Sequence, residues 1–222
     1  MNEADDNQEY IEEGEDVLDE SILESLGIDL GSDISSFHNI VEMAEKLRNR
    51  KVYIFGDICT YNILVVIHQI HVLEDRDPDS DIELYINSGG GYVIDCLALI
   101  DVMDASPCDF KVVVLGMAAS AACLLASNGA EGKRYAGRNS EFMFHEVSAP
   151  IPDMKMSDMK YYKTETKRVQ DKFNRIFSRN TGLSVGVLRK EFYKSKDKFL
   201  TATEARKYGI IDHVVTPRRK NI

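Results

Sequence analysis

Hydrophobic residues along this chain fall into two alternating periodicities. Ile40, Val41, Met43, Ala44 and Leu47 recur at helical spacing ahead of the basic run 48–51, and residues 52–55 then read as a strand ended by Gly56 and Asp57. Residues 61–73 suit a helix with Ile63, Val66, Ile67, Ile70 and Leu73 on or near one face. A polar turn over 75–81 leads to a strand at 82–86, a glycine turn at 87–91 and a helix over 92–103. Pro107 and Asp109 break the chain before a strand at 112–115. Gly116 is expected to end that strand and turn it into a helix of small residues over 118–127, and a further strand is expected at 142–144. Strands alternating with helices predict an α/β protein with repeated βαβ units around a central sheet, whose covered strands can be apolar on both faces.

Beyond Pro150 and Pro152 the pattern changes to a long polar helix over 157–179. Its apolar positions are Met159, Tyr162, Val169, Phe173 and Phe177, and its first half is weakly patterned. A helix of that length and polarity cannot be wholly buried in one monomer, so it is expected to protrude and pack against a second subunit. Thr181 and Gly182 close it, and a shorter helix runs from Ser184 toward Phe192. Thr201 and Glu204 form a capping box for a helix over 202–208, Gly209 is its C-cap, and 210–215 reads as a terminal strand. No internal repeat is present. The expected organisation is an acidic extension over 1–36, one domain over 37–217 and a basic tail over 218–222.

Charge separates the extension from the body. The net charge is −10, yet residues 1–33 hold 13 of the 37 acidic residues and no Lys or Arg. The remainder carries 24 acids against 27 bases and is nearly balanced. The acidic arm is therefore expected to be a solvated tail or a segment that docks on a basic partner surface, with 21–35 as a short docking turn. At 222 residues the chain buries about 70% of its unfolded surface as one domain and needs no staple. Cys59, Cys96, Cys108 and Cys123 lack CxxC spacing and read as small hydrophobes in a reducing compartment. The N-terminus lacks a signal-peptide pattern, and no apolar run approaches the roughly 20 residues that cross a bilayer. These features predict a soluble, cytoplasmic protein with no membrane or nucleic-acid partner.

Three segments could carry chemistry. Ser120 lies in Gly116-Met117-Ala118-Ala119-Ser120-Ala121-Ala122, where a branched strand meets a helix of small residues and amide protons can face a developing negative oxygen. This is not the GxSxG spacing, and a serine there can equally be a capping or packing residue. His145 follows the strand at 142–144, a place from which an imidazole can enter a cleft and exchange a proton with a hydroxyl. The run Asn87-Ser88-Gly89-Gly90-Gly91 allows close backbone approach and can offer amide donors to an oxyanion or pair with an extended peptide. It lacks the Lys of a nucleotide P-loop and the glycine spacing of a dinucleotide fingerprint. His68 and His71 stand one helical turn apart without acidic partners at metal-site spacing, so neither metal nor cofactor is expected.

From about 52 to 215 the chain resembles the proteolytic subunit of the ATP-dependent Clp protease. The segments that carry the likeness are Tyr85-Ile86-Asn87-Ser88-Gly89-Gly90-Gly91, Gly116-Met117-Ala118-Ala119-Ser120, Gly132-Lys133-Arg134-Tyr135, Asn139-Ser140 and Phe144-His145. Phe199-Leu200-Thr201-Ala202, Glu204-Ala205 and Tyr208-Gly209-Ile210-Ile211-Asp212 complete it. The resemblance implies a Clp/crotonase-like fold with a protruding long helix. It also implies stacked seven-membered rings of identical or related subunits, an ATP-driven unfoldase partner, and unfolded polypeptides as substrates of a serine endopeptidase.

By the same resemblance Ser120 is the nucleophile, His145 the base, and the amides of Gly90 and Ala121 the oxyanion donors. The acid falls at Glu191 when the motif is matched forward from Thr181-Gly182. Matching backward from Asp197-Lys198-Phe199-Leu200 puts Tyr193 at that place, which leaves Asp197 as the other carboxylate. The chain departs from the family pattern at Gly89, where proline is usual, at Ala121, where methionine is usual, and in 148–154, where two prolines interrupt a glycine-rich segment. Two alternatives follow: a noncatalytic subunit of a related ring, and a crotonase-like acyl-transforming enzyme.

Overall fold

A computed structural model describes residues 48–148, 155–193 and 197–216. The expected helix at 40–47, the acidic extension and its docking turn, the two-proline segment at 149–154 and the C-terminal tail lie outside the described residues.

The described chain runs β1 (Lys51–Phe55), α1 (Thr60–Arg76), β2 (Ile82–Ser88), α2 (Val93–Ala105), β3 (Phe110–Ala119), α3 (Ala121–Ser127), β4 (Arg134–Gly137) and β5 (Glu141–Phe144). It continues through α4 (Met156–Thr181), α5 (Val185–Val187), a π-helical turn (Leu188–Phe192), β6 (Lys198–Thr201), α6 (Ala202–Lys207) and β7 (His213–Val215). The sheet order is β1-β2-β3-β4-β7, all neighbours parallel. β5 lies beside β3 in parallel, and β6 closes antiparallel on β5. This is an α/β fold with helical crossovers, as the sequence pattern predicts.

One difference decides the site. Gly116 does not end its strand: β3 continues through it and changes neighbour. Val112–Val114 pair with Arg134–Ala136 of β4, whereas Met117–Ala119 pair with Glu141–Met143 of β5. The bend needs φ +82° at Gly116, and a Cβ there would come within 2.8 Å of Asn87 Oδ1. That same oxygen accepts the Met117 N–H at 3.2 Å, so Asn87 fills the concave side of the bend. Helix formation is therefore delayed to Ala121, and Ser120 is left in the turn.

The strands at β4 and β6 are additional to the sequence reading. Each is four residues long, too short to show a period, and β4 contains Arg134. Burial separates the strands that are apolar on both faces from those that are not. In β3, Val112, Val113 and Val114 are all buried, but β2 alternates, with Ile82, Leu84 and Ile86 in the core and Glu83 and Tyr85 opposite. Tyr85 stacks on Tyr53 at 5.1 Å between centroids.

The long helix α4 is buried only toward its end. Phe173 and Phe177 enter the core, while Met159, Tyr161 and Tyr162 are exposed. Phe144 is the hub: its ring lies 4.5–5.6 Å from those of Phe177, Phe192, Phe173 and Tyr193. Truncating such a ring costs about 3–5 kcal/mol. The capping box at Thr201 and Glu204 forms as predicted.

Arg134 joins the closing segments. Its guanidinium donates to Asp212 Oδ1 at 2.5 Å and Oδ2 at 2.9 Å, and to the carbonyls of Ser127 and Asn180. Burial pushes the Asp212 carboxyl up, but hydrogen bonds from Arg134 outweigh it and hold the carboxyl below its ordinary 3.8. A depressed folded value means that the stabilisation is complete above the unfolded value and is lost as pH falls through the folded one. Asp212→Asn is expected to lower unfolding free energy at pH 7 by about 3 kcal/mol and to flatten its fall below pH 4. Denaturant melts across pH check this, and an unchanged midpoint would refute it.

Candidate active site

Ser120 and His145 stand at the carboxyl ends of adjacent parallel strands, where open α/β sheets place their crevices. The β3–β5 register makes Ala119 the partner of Met143, and the Ser120 N–H donates to the Met143 carbonyl at 2.8 Å. The next residue on each strand side then meets across the gap. Ser120 Oγ lies 2.7 Å from His145 Nε2, a full hydrogen bond. Ser120 itself is held at φ 53°, ψ −120°, a conformation that side-chain-bearing residues seldom adopt. The turn aims its hydroxyl away from α3 and toward the imidazole.

Gly90 packs directly on this turn. A Cβ at Gly90 would lie 2.7 Å from the Ala119 carbonyl and 2.8 Å from Ser120 Cβ, so only glycine fits. The loop is clamped by Ile58, whose N–H donates to the Gly90 carbonyl at 2.8 Å and whose carbonyl accepts from Tyr92 at 2.9 Å. Ala121 opens α3, and an amide at a helix's first position has no intrahelical acceptor. The Gly90 amide is engaged: it donates to Ser88 Oγ at 3.0 Å. Sequence reasoning missed this contact, although a serine two residues ahead of an amide is a known turn former. At Gly89 a Cβ would meet nothing within 4 Å, so the turn does not need glycine there for want of space.

The carboxylates divide clearly. Asp197 Oδ1 lies 3.8 Å from His145 Nδ1, within ion-pair range but outside hydrogen-bond reach. Glu191 sits in the π-helical turn, where its ion pair is with Lys190 at 3.9 Å. Among the described residues no contact joins it to His145. Counted forward from Gly182, the sequence points to Glu191, which the fold does not bring to the imidazole; counted back from the closing motif it points to Tyr193, and Asp197, the remaining carboxylate, is the one near His145.

Under the site, Cys96 and Cys123 are fully buried, and burial pushes both thiols up and out of the nucleophile range. Cys96 Sγ contacts the Ala121 carbonyl at 3.3 Å. Cys108 is buried as well, and Cys59 is partly so. His213 bonds to the Gly132 carbonyl at 3.1 Å, and among the described residues no three His, Cys, Asp or Glu side chains form a metal-ligating group.

A family model described as Clp protease matches residues 35–218. The chain belongs to the Clp protease family. Membership supports a peptidase of the Clp type, and the mostly parallel sheet with its helical crossovers agrees with the Clp/crotonase-like class. Clp proteases form rings that work with ATPase unfoldases. Among the described residues no helix is long and apolar enough to cross a membrane.

The backbone at Ser120 yields a test independent of activity. Ser120→Gly and Ser120→Ala both delete the hydroxyl, but only alanine keeps a Cβ in the left-handed region. The glycine variant is expected to unfold about 1 kcal/mol higher than the alanine variant in denaturant melts. Equal or reversed stabilities would mean that the turn carries no strain.

Proposed function

We propose that this Clp-family chain is a serine endopeptidase subunit that hydrolyses unfolded polypeptides delivered by an ATP-driven unfoldase. The observation that carries the reading is the 2.7 Å Ser120 Oγ to His145 Nε2 hydrogen bond at paired strand ends. A neutral imidazole with its proton on Nδ1 leaves Nε2 free to accept from the hydroxyl. Ser120 then attacks the peptide carbonyl as His145 takes its proton, and the resulting imidazolium returns that proton to the leaving amine. Water, deprotonated by the same imidazole, hydrolyses the acyl-enzyme and frees Ser120.

The negative oxygen formed in each step is stabilised by the Ala121 and Gly90 amides. The Gly90 N–H must turn from Ser88 Oγ toward substrate to contribute fully. Asp197 is the orienting carboxylate in this reading, in preference to Glu191, and must approach Nδ1 by roughly 1 Å to form a hydrogen bond. Assembly of identical or related subunits into rings is supported by α4, whose exposed Met159, Tyr161 and Tyr162 offer an apolar surface to a neighbouring copy.

A fluorophosphonate probe should label the purified protein at Ser120, and Ser120→Ala and His145→Ala should abolish labelling while native mass spectrometry reports unchanged assembly. Absence of labelling in the assembled, unmutated protein would leave a noncatalytic ring subunit in its place. On a short fluorogenic peptide, Asp197→Asn is expected to lower kcat at least about a hundredfold. Glu191→Gln should stay within about twofold; the reverse pattern would transfer the acid role to Glu191.

A further inference from the structure

Behind His145 runs a chain of hydrogen bonds that the serine–imidazole chemistry does not itself use. The Val147 N–H, two residues past the imidazole, donates to Gln170 Oε1 at 2.7 Å. Gln170 Nε2 donates in turn to the Tyr193 hydroxyl at 2.7 Å and to Asn174 Oδ1 at 3.0 Å. The Tyr193 hydroxyl donates its own proton to Asn174 Oδ1. Three parts of the fold meet here: the segment leaving β5, one face of α4, and the residue that ends the π-helical turn.

The roles in this network follow from donor and acceptor inventory. Gln170 and Asn174 stand one helical turn apart on α4, so both amides face the same side. Flipping the Gln170 amide would set its NH2 group against the Val147 N–H, so the backbone donor fixes its orientation. With its oxygen committed to Val147, Gln170 can offer Tyr193 only a donor, and the phenol must pass its proton on to Asn174. Asn174 is buried, and Tyr193 packs 5.6 Å from Phe144, the residue that precedes His145. Burial, then the nearby Glu146 charge, raise the phenol and keep it protonated as a donor.

We propose that Gln170 and Tyr193 are positioning residues for the Ser120–His145 reaction, setting the separation between the imidazole and the chain that carries Asp197. The proposal rests on the serine-peptidase reading above. His145 is held from its N-terminal side by β5 pairing; Val147 to Gln170 holds it from the other side. Tyr193 lies four residues ahead of Asp197 in sequence, and just past the carboxylate Lys198 pairs with Phe144, so residues flanking Asp197 on both sides are tied to the segment that carries His145. The His145 to Asp197 distance of 3.8 Å is about 1 Å outside hydrogen-bond reach. A displacement of that size at a reacting group changes rates by about two orders of magnitude. Loosening either end of the link therefore acts on turnover rather than on substrate binding.

Tyr193→Phe keeps the ring and deletes the hydroxyl, and Gln170→Met keeps the length and deletes every polar contact. In the full-length assembled protein, each is expected to lower kcat for a short fluorogenic peptide about tenfold, with KM within about twofold. Fluorophosphonate labelling of Ser120 should slow in parallel. In an Asp197→Ala background the same substitutions should cost less than about twofold, because both changes act on one alignment. Equal factors in the two backgrounds, or an unchanged kcat in folded variants, overturn the proposal. Circular dichroism melts establish folding, and should Gln170→Met fail to fold, Tyr193→Phe alone decides. No labelling in the unmutated protein would sink the serine-peptidase reading together with this one. Ser120-dependent labelling with kcat insensitive to both variants would sink the positioning role only.

Discussion

The pairing of the second half of β3 with β5 is the constraint on which the site depends. It puts Ala119 opposite Met143, bonds the Ser120 amide to the Met143 carbonyl, and so delivers a hydroxyl and an imidazole from residues 25 apart in sequence to 2.7 Å. A parallel register that slipped by one residue would turn one of the two side chains to the opposite face. The β3 register with β5 is reached only because β3 leaves β4 at Gly116, and the β5 register is secured by the aromatic rings around Phe144.

Most elements were legible in the sequence because their apolar spacing is long enough to show a period, as in α1, α2 and the end of α4. The boundary at Gly116 was misread for a physical reason. Glycine after a branched strand commonly ends it, and nothing local reveals that Asn87, 29 residues earlier, fills the inside of a bend that lets the strand continue. The short strands β4 and β6 owe their existence to neighbours. β6 pairs with β5, and β4 is held in place partly by Arg134 reaching Asp212.

The candidate site was legible unequally. Ser120, His145 and the glycine turn occupy strand ends, and motif order along the chain sufficed to bring them forward. The candidate carboxylates lie on a connection, where length is free to change, and the choice between them depends on which flanking motif anchors the count. Counting forward from Gly182 leads to Glu191; counting back from Asp197-Lys198-Phe199-Leu200 leads to Tyr193 and leaves Asp197 as the other carboxylate, and β6, which begins at Lys198, pairs directly with the strand before His145. Asp197 lies near the imidazole because it directly precedes β6, and neither count selects it. The amide of Gln170 had no sequence signal, since a polar residue on a polar helix face looks like solvent contact until its partners are seen, and Tyr193 came forward only as the residue that the backward count puts at the acid's place.

The change of neighbour at Gly116 also divides the site's two tasks between unequal supports. Ser120 and His145 share a three-pair ladder, whereas the glycine loop from β2 is tied to that part of β3 by one ladder pair, Ser88–Ala118, past a register shift, and by the Asn87–Met117 hydrogen bond. In the proposed reaction the Gly90 share of charge reception thus rests on a different support from proton exchange, whereas the Ala121 share rests on the same one. A distortion spreading from the β1–β2 edge would displace the Gly90 amide while leaving the hydroxyl–imidazole couple intact, so a proposed peptidase distorted in this way would still look poised in its side chains and yet turn over slowly.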